Sequence, residues 1–142
     1  QVMAHYFNLE QVYCYSGGTE ATAFFPKVAE VLRKSGFEII ELSTGANPVY
    51  SIKYAADSHP IIGFSKTYDN PINKAPYVAI TTCNSADENC PFIAEATLRF
   101  HVPYTDPKHS DNTDEQEEVY LKTNKEIASQ VYFLFEKVKS LL

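Results

Sequence analysis

No Cys-x5-Arg pattern, the spacing of an oxyanion-cradling loop, occurs in the 142 residues: the sixth residue after Cys14 is Glu20, after Cys83 Asn89, and after Cys90 Ala96. No apolar run reaches the about 18 residues of a membrane span. The stretch Gln1-Val2-Met3-Ala4-His5-Tyr6 has no basic leader character. A soluble, cytoplasmic protein that binds no membrane is therefore expected. Basic charge is also scarce, 12 Lys and Arg against 18 Asp and Glu, and a net charge of −6 argues against nucleic-acid binding. Much of that charge sits at Asp111, Asp114, Glu115, Glu117 and Glu118, which reads as the solvated start of a helix. Three cysteines are an odd number and do not suit a secreted disulfide framework. Cys14, inside Val12-Tyr13-Cys14-Tyr15, reads as a structural core thiol.

An apolar fraction of 44% over this length suffices for one ordinary core, so one domain is expected over residues 1–142. Strand-like and helix-like segments alternate, as in an α/β domain with a mostly parallel sheet. Val12 to Ser16 reads as a strand ending at Gly17-Gly18. A helix of about three turns is predicted from Pro26 at its first position, through Val28, Val31 and Leu32, to Gly36 at its end. Phe37 to Leu42 reads as strand. Between Ser43 and Pro76, punctuated by Gly45, Asn47-Pro48, His59-Pro60 and Asn70-Pro71, the runs Val49 to Tyr54 and Ile61 to Phe64 suggest a small hairpin. Tyr77 to Cys83 is apolar enough for a strand covered on both faces, and Ala96 to Val102 is a second such strand. Thr113-Asp114-Glu115-Gln116 has capping-box spacing, and Ile127, Val131, Leu134, Val138 and Leu141 predict a long C-terminal helix with one buried stripe. Val2, Tyr6 and Leu9 have helical spacing without a capping residue before them.

The segment most suggestive of chemistry is Cys83-Asn84-Ser85-Ala86-Asp87-Glu88-Asn89-Cys90-Pro91, between the last two strands and upstream of Asp106-Pro107. Two thiols across six polar or small residues after a buried strand are candidates for redox chemistry, and Asp106 for proton donation. Read alone, the cysteines are equally quiet thiols near a sheet edge, and Asp-Pro is a common turn starter. Cys83 and Cys90 with His101 and His109 form a conceivable zinc set. Their gaps of six, ten and seven residues do not match the tight paired spacing of structural zinc, so no metal is expected.

Taken in order, these motifs resemble the low-molecular-weight protein tyrosine phosphatase superfamily, and within it the thioredoxin-coupled arsenate reductases. Ser16-Gly17-Gly18-Thr19-Glu20 resembles the family's Ser-Ala-Gly-Thr turn, and Pro26 to Gly36 resembles the helix after it. Thr82 to Pro91 is similar to the reductases' second and third redox cysteines with their intervening loop, and Asp106-Pro107 looks like the general-acid motif. Gly45 to Tyr68, including Asn47-Pro48-Val49-Tyr50 and Ile61-Ile62-Gly63-Phe64-Ser65, goes beyond the compact pattern and looks like a bacterial branch with an inserted hairpin.

The resemblance implies a three-layer, doubly wound parallel sheet of flavodoxin-like type. It implies Cys83 and Cys90 as a catalytic relay pair, Asp106 as general acid, and Ser16 holding the phosphate loop by a hydrogen bond. It further implies an oxyanion substrate, no bound cofactor, and thioredoxin or a similar thiol reductant as partner and electron donor. The family's first strand and its Cys-x5-Arg loop have no counterpart here. They are expected about four helical turns upstream of Gln1, in a longer protein of which this is a partial view. Two other functions share the frame: a protein tyrosine phosphatase, which needs the missing loop and Asp106 but not the cysteine pair, and a non-catalytic binding module.

Overall fold

The computed structural model describes residues 1–82 and 92–142. It is a mixed α/β structure. In chain order the elements are α1 (Val2–Tyr6), α2 (Pro26–Lys34), β1 (Glu38–Ser43), β2 (Val49–Lys53), β3 (Ile61–Gly63), β4 (Tyr77–Thr81), β5 (Ala96–His101), a short 3-10 helix η1 (Pro107–Ser110) and α3 (Gln116–Ser140). The strands form two small sheets among the described residues. β1, β2 and β3 make an antiparallel meander, while β4 and β5 pair in parallel.

Helix α2 begins and ends for local reasons. Pro26 occupies its first turn, where no amide partner is needed. At its far end Gly36 takes φ +94°, a conformation costly for a residue with a Cβ. The Phe37 amide then donates to the Leu32 carbonyl (3.1 Å) and the Gly36 amide to that of Arg33 (3.0 Å), a Schellman closure. Leu32 and Phe37, thus brought together, pack on the core of Ala29, Ile39, Tyr50 and Ile52, joined by Phe24 and Ile61. Burying each large member contributes about 1.5–3 kcal/mol. On β2 only Tyr50 and Ile52 are buried, as the two-residue period requires. The hairpin expected within 49–64 is thus present, and it supplies three of the core residues.

Several expectations need correction, the mostly parallel sheet among them, since three of the five described strands pair antiparallel. The 12–16 segment forms no ladder; the nearest pairing is an isolated parallel bridge between Gly18 and Thr67. Cys14 is exposed rather than in a core, as are Tyr13 and Tyr15 on either side of it, because among the described residues no strand pairs along this segment. Helix α3 forms, but its stripe is not buried: Ile127, Leu134, Val138 and Leu141 are all exposed. Its contacts are instead made early and at the side. Lys34 pairs with Glu117, Asn124 Nδ2 donates to Ser35 Oγ (2.9 Å), and Tyr132 packs against the rings of Tyr6 and Phe7. The capping box does not close either. Thr113 Oγ1 donates to the Ser110 carbonyl (2.7 Å), and Gln116 Nε2 donates to Asp111 Oδ1 (2.9 Å).

Asp111 also accepts the Tyr120 hydroxyl at 2.8 Å, and Tyr120 is the one residue of α3 that is buried. Burial, then the hydrogen bond to Asp111 and its charge, hold the Tyr120 pKa well above the ordinary 10. A raised folded pKa means a stabilisation fully present below the unfolded value and lost as pH rises through the folded one. Tyr120→Phe is expected to cost about 1–3 kcal/mol at pH 8 and to lose less stability than the parent above pH 10. Urea unfolding of both proteins at pH 8 and pH 11 tests this; a difference independent of pH contradicts it.

Candidate functional site

A cavity of about 890 Å³ lies between the 11–19 segment and the 73–82 segment that includes β4, with Tyr68 and Ile93 completing its wall. Ser16 is on that wall, at the turn that the sequence singled out. The turn is held by backbone pairing: the Gly18 amide donates to the Lys66 carbonyl (2.9 Å) and the Tyr68 amide to the Gly18 carbonyl (3.0 Å). Gly17 is required by the closeness of that approach. A Cβ there would lie 2.5 Å from Tyr68 Cα and 2.8 Å from the Thr67 carbonyl oxygen.

Two residues that sequence reasoning missed complete the turn. Lys66 is buried, and its ammonium donates to Ser16 Oγ at 3.3 Å while sitting 5.1 Å from the centre of the Phe64 ring. Burial draws its pKa below the ordinary 10.5. Asn73, also buried, donates through Nδ2 to the carbonyl of Tyr68 (2.9 Å), with longer contacts to those of Ser16 and Thr67 (both 3.5 Å). Its Oδ1 has no partner among the described residues. The segment carrying Lys66 is fixed in turn. Asn47 exchanges two hydrogen bonds with the Ser65 backbone (2.8 and 3.0 Å), and Ser65 Oγ accepts the Thr22 amide (3.1 Å). A lysine ending the apolar run Ile61-Ile62-Gly63-Phe64 was the available signal, since a cation at the end of a core strand must find a partner or a route to water.

The other expected site residues are placed differently. Cys83 and Cys90 lie outside the described residues. Asp106 is exposed and caps η1, its Oδ1 accepting the Lys108 amide at 2.9 Å while its carbonyl accepts from His109 Nδ1 (2.6 Å). Ser16 and Asp106 are not brought together: Ser16 is on the cavity wall and Asp106 is not. Asp106 does follow the sheet end at which Thr82 lies. Beyond β5 the Val102 amide donates to the Thr81 carbonyl (2.9 Å) and the Tyr104 amide to that of Thr82 (2.9 Å). The chain therefore leaves the C-terminal end of the parallel pair at Thr82, immediately before Cys83, and at Tyr104, two residues before Asp106. That end of a parallel sheet is where α/β proteins gather ligands. Of the conceivable zinc set, His101 Nδ1 is 3.0 Å from Thr81 Oγ1; among the described residues no three His, Cys, Asp or Glu side chains cluster as a metal site. Among them, too, no helix is long and apolar enough to cross a membrane.

Neither a protein-family model nor a curated protein matches the chain.

Because the atoms facing a Gly17 Cβ are all backbone, no side-chain rotation relieves the clash. Gly17→Ala is expected to separate the Ser16 turn from Thr67 and Tyr68 and to cost about 1–3 kcal/mol, the usual range for overpacking. Gly18→Ala, whose Cβ would meet the Glu20 carbonyl oxygen at 3.2 Å and its nitrogen at 3.8 Å, is expected to cost less. Thermal unfolding of the two variants checks the order; Gly17→Ala melting with the parent would contradict the close docking.

Proposed function

We propose that the chain belongs to a thioredoxin-coupled arsenate reductase of the low-molecular-weight phosphatase type, with Cys83 and Cys90 as relay thiols and Asp106 as proton donor. The finer fold that goes with this reading is a three-layer, doubly wound, flavodoxin-like sheet, its first strand and Cys-x5-Arg loop supplied from outside the 142 residues. The observation that carries the reading is the order Ser16-Gly17-Gly18-Thr19, Cys83 to Cys90-Pro91, Asp106-Pro107 along the chain. The parallel pairing of β4 with β5 supports it, because Thr82 and Tyr104 leave the sheet side by side.

In the proposed cycle the loop thiolate displaces an oxygen of arsenate, which leaves as water, and forms a sulfur–arsenic bond. The Cys83 thiolate then attacks that sulfur. The sulfur–arsenic bond breaks, its electron pair stays on arsenic as arsenite, and a disulfide joins the two cysteines. Cys90 attacks the Cys83 sulfur, releasing the loop thiolate and leaving a Cys83–Cys90 disulfide, which the dithiol of thioredoxin reduces. Two electrons thus pass from two thiols to arsenic. Asp106 supplies the proton to the departing oxygen. A tyrosine phosphatase would use Asp106 in the same way, protonating the phenolate, but would leave Cys83 and Cys90 without a task.

Two substitutions test the assignments, each assayed in a polypeptide that also carries the Cys-x5-Arg loop. Cys90→Ser is expected to abolish multiple-turnover arsenate reduction with thioredoxin while sparing hydrolysis of a small aryl phosphate; reduction at the parental rate would remove the relay. Asp106→Asn is expected to slow aryl phosphate hydrolysis by roughly 10²–10⁴, most for poor leaving groups. Stability should change little, since an Asn oxygen can still accept the Lys108 amide. Parental rates on phosphates of high leaving-group pKa would leave Asp106 as the cap of η1 alone.

A further inference from the structure

The carboxyl of Asp106 has one oxygen engaged and one free. Oδ1 accepts the Lys108 amide at 2.9 Å, while Oδ2 has no hydrogen-bond partner among the described residues. A proton carried by this carboxyl therefore sits on Oδ2, the oxygen left to give it away. The cap also fixes the side-chain torsion, so the direction of Oδ2 depends on where η1 sits.

η1 does not hold that place by itself. It is a single 3-10 turn of four residues, and a lone turn lacks the cooperative hydrogen bonding that sustains a longer helix. Its far end is where it is tied down. Asp111 follows the turn directly, and its Oδ1 accepts both the Tyr120 hydroxyl (2.8 Å) and Gln116 Nε2 (2.9 Å) from α3. Lys108 links the two aspartates: its amide donates to Asp106 Oδ1, and its carbonyl accepts the Asp111 amide at 3.0 Å. Tyr120 is itself anchored, buried and with its ring 5.9 Å from that of Phe25 at the start of α2. Burial, then the bond to Asp111 and its charge, raise the Tyr120 pKa, and the charge of Asp106 adds to them, which puts that carboxylate within electrostatic reach of the same hydroxyl.

We infer that Asp111 and Tyr120 are positioning residues for Asp106: the bond between them sets η1, and η1 aims Oδ2. The inference rests on the proton-donor role proposed above for Asp106 and deepens it by assigning the residues that hold the donor. In the step itself the Oδ2–H bond breaks, its proton passes to the departing oxygen, and the carboxylate left on Asp106 keeps its cap. Asp111 and Tyr120 act through η1, and no contact with the substrate is required of either.

Two measurements test it. In the 142-residue chain, hydrogen exchange of the Lys108 amide should quicken about tenfold in Tyr120→Phe, which keeps the ring and removes only the hydroxyl, as expected for one lost hydrogen bond. Exchange at the parental rate would overturn the inference. In a polypeptide that also carries the Cys-x5-Arg loop, Tyr120→Phe and Asp111→Ala should lower kcat on aryl phosphates of high leaving-group pKa by roughly 10–100-fold, a part of what a well-placed general acid contributes. KM and the rate on good leaving groups should stay near parental. Asp111→Asn, whose oxygen still accepts both bonds from α3, should retain most of the rate. In an Asp106→Asn background, Tyr120→Phe should have no further effect. Parental kcat in Tyr120→Phe overturns the positioning role, as does an equal loss on good and poor leaving groups or an undiminished loss in the Asp106→Asn background. Parental rates in Asp106→Asn itself would remove the proton donor and the positioning with it, whereas a slow Asp106→Asn beside a parental Tyr120→Phe would remove the positioning alone.

Discussion

The backbone pairing of Gly18 with the 66–68 segment is the contact on which the candidate site depends. Two hydrogen bonds, from the Gly18 amide to the Lys66 carbonyl and from the Tyr68 amide to the Gly18 carbonyl, tie the turn after the 12–16 segment to the chain leaving β3. They succeed only because Gly17 presents no Cβ to Tyr68. Once they form, the Lys66 side chain is directed at Ser16 and Asn73 can reach three carbonyls of the two paired segments. The hairpin therefore does two jobs at once. Tyr50, Ile52 and Ile61 bury the face of α2, and the chain beyond β3 brings the Lys66 ammonium to Ser16, which lines the cavity.

A second constraint governs the rest of the molecule. A compact monomer of 16.0 kDa exposes about 7,400 Å², whereas this chain exposes 9786 Å². Part of the exposed surface is apolar and has a definite place. Val78 pairs with Leu98 and Ile80 with Phe100, so all four lie on one face of the β4–β5 pair, and each is about half exposed. The opposite side of β4 carries Ala79 and Thr81, both buried. A strand with apolar residues on both faces is composed for cover on both. The exposed stripe of α3 has the same character, which explains why a helix with a regular apolar repeat buries only Tyr120.

Where the sequence was legible, the signal was local and carried its own stereochemistry. Pro26 and Gly36 bounded α2 because one needs no amide partner and the other accepts φ +94°. A β-branched, apolar run located β4, and Pro- and Gly-marked breaks located the hairpin. What was not legible depended on a partner distant in sequence. The 12–16 segment has strand composition, but a strand exists only when a neighbour takes its hydrogen bonds. Thr113 to Gln116 has the spacing of a capping box, yet Asp111 and Ser110 offered closer partners to the same side chains. In the site, Ser16 was found from its turn motif; Lys66 and Asn73, 50 and 57 residues away along the chain, were not.

The geometry also changes what Ser16 can do. A serine read as a brace for a neighbouring loop was expected to spend its hydroxyl proton on that loop. With Lys66 donating to Oγ, the oxygen is already engaged as an acceptor, and the single proton must point away from the ammonium. Whatever meets that proton in the cavity, a loop carbonyl or an oxyanion, does so with a positive charge directly behind the oxygen. The lysine thus sets the direction in which that hydroxyl can donate, and it reaches Ser16 only while the pairing of Gly18 with the 66–68 segment holds.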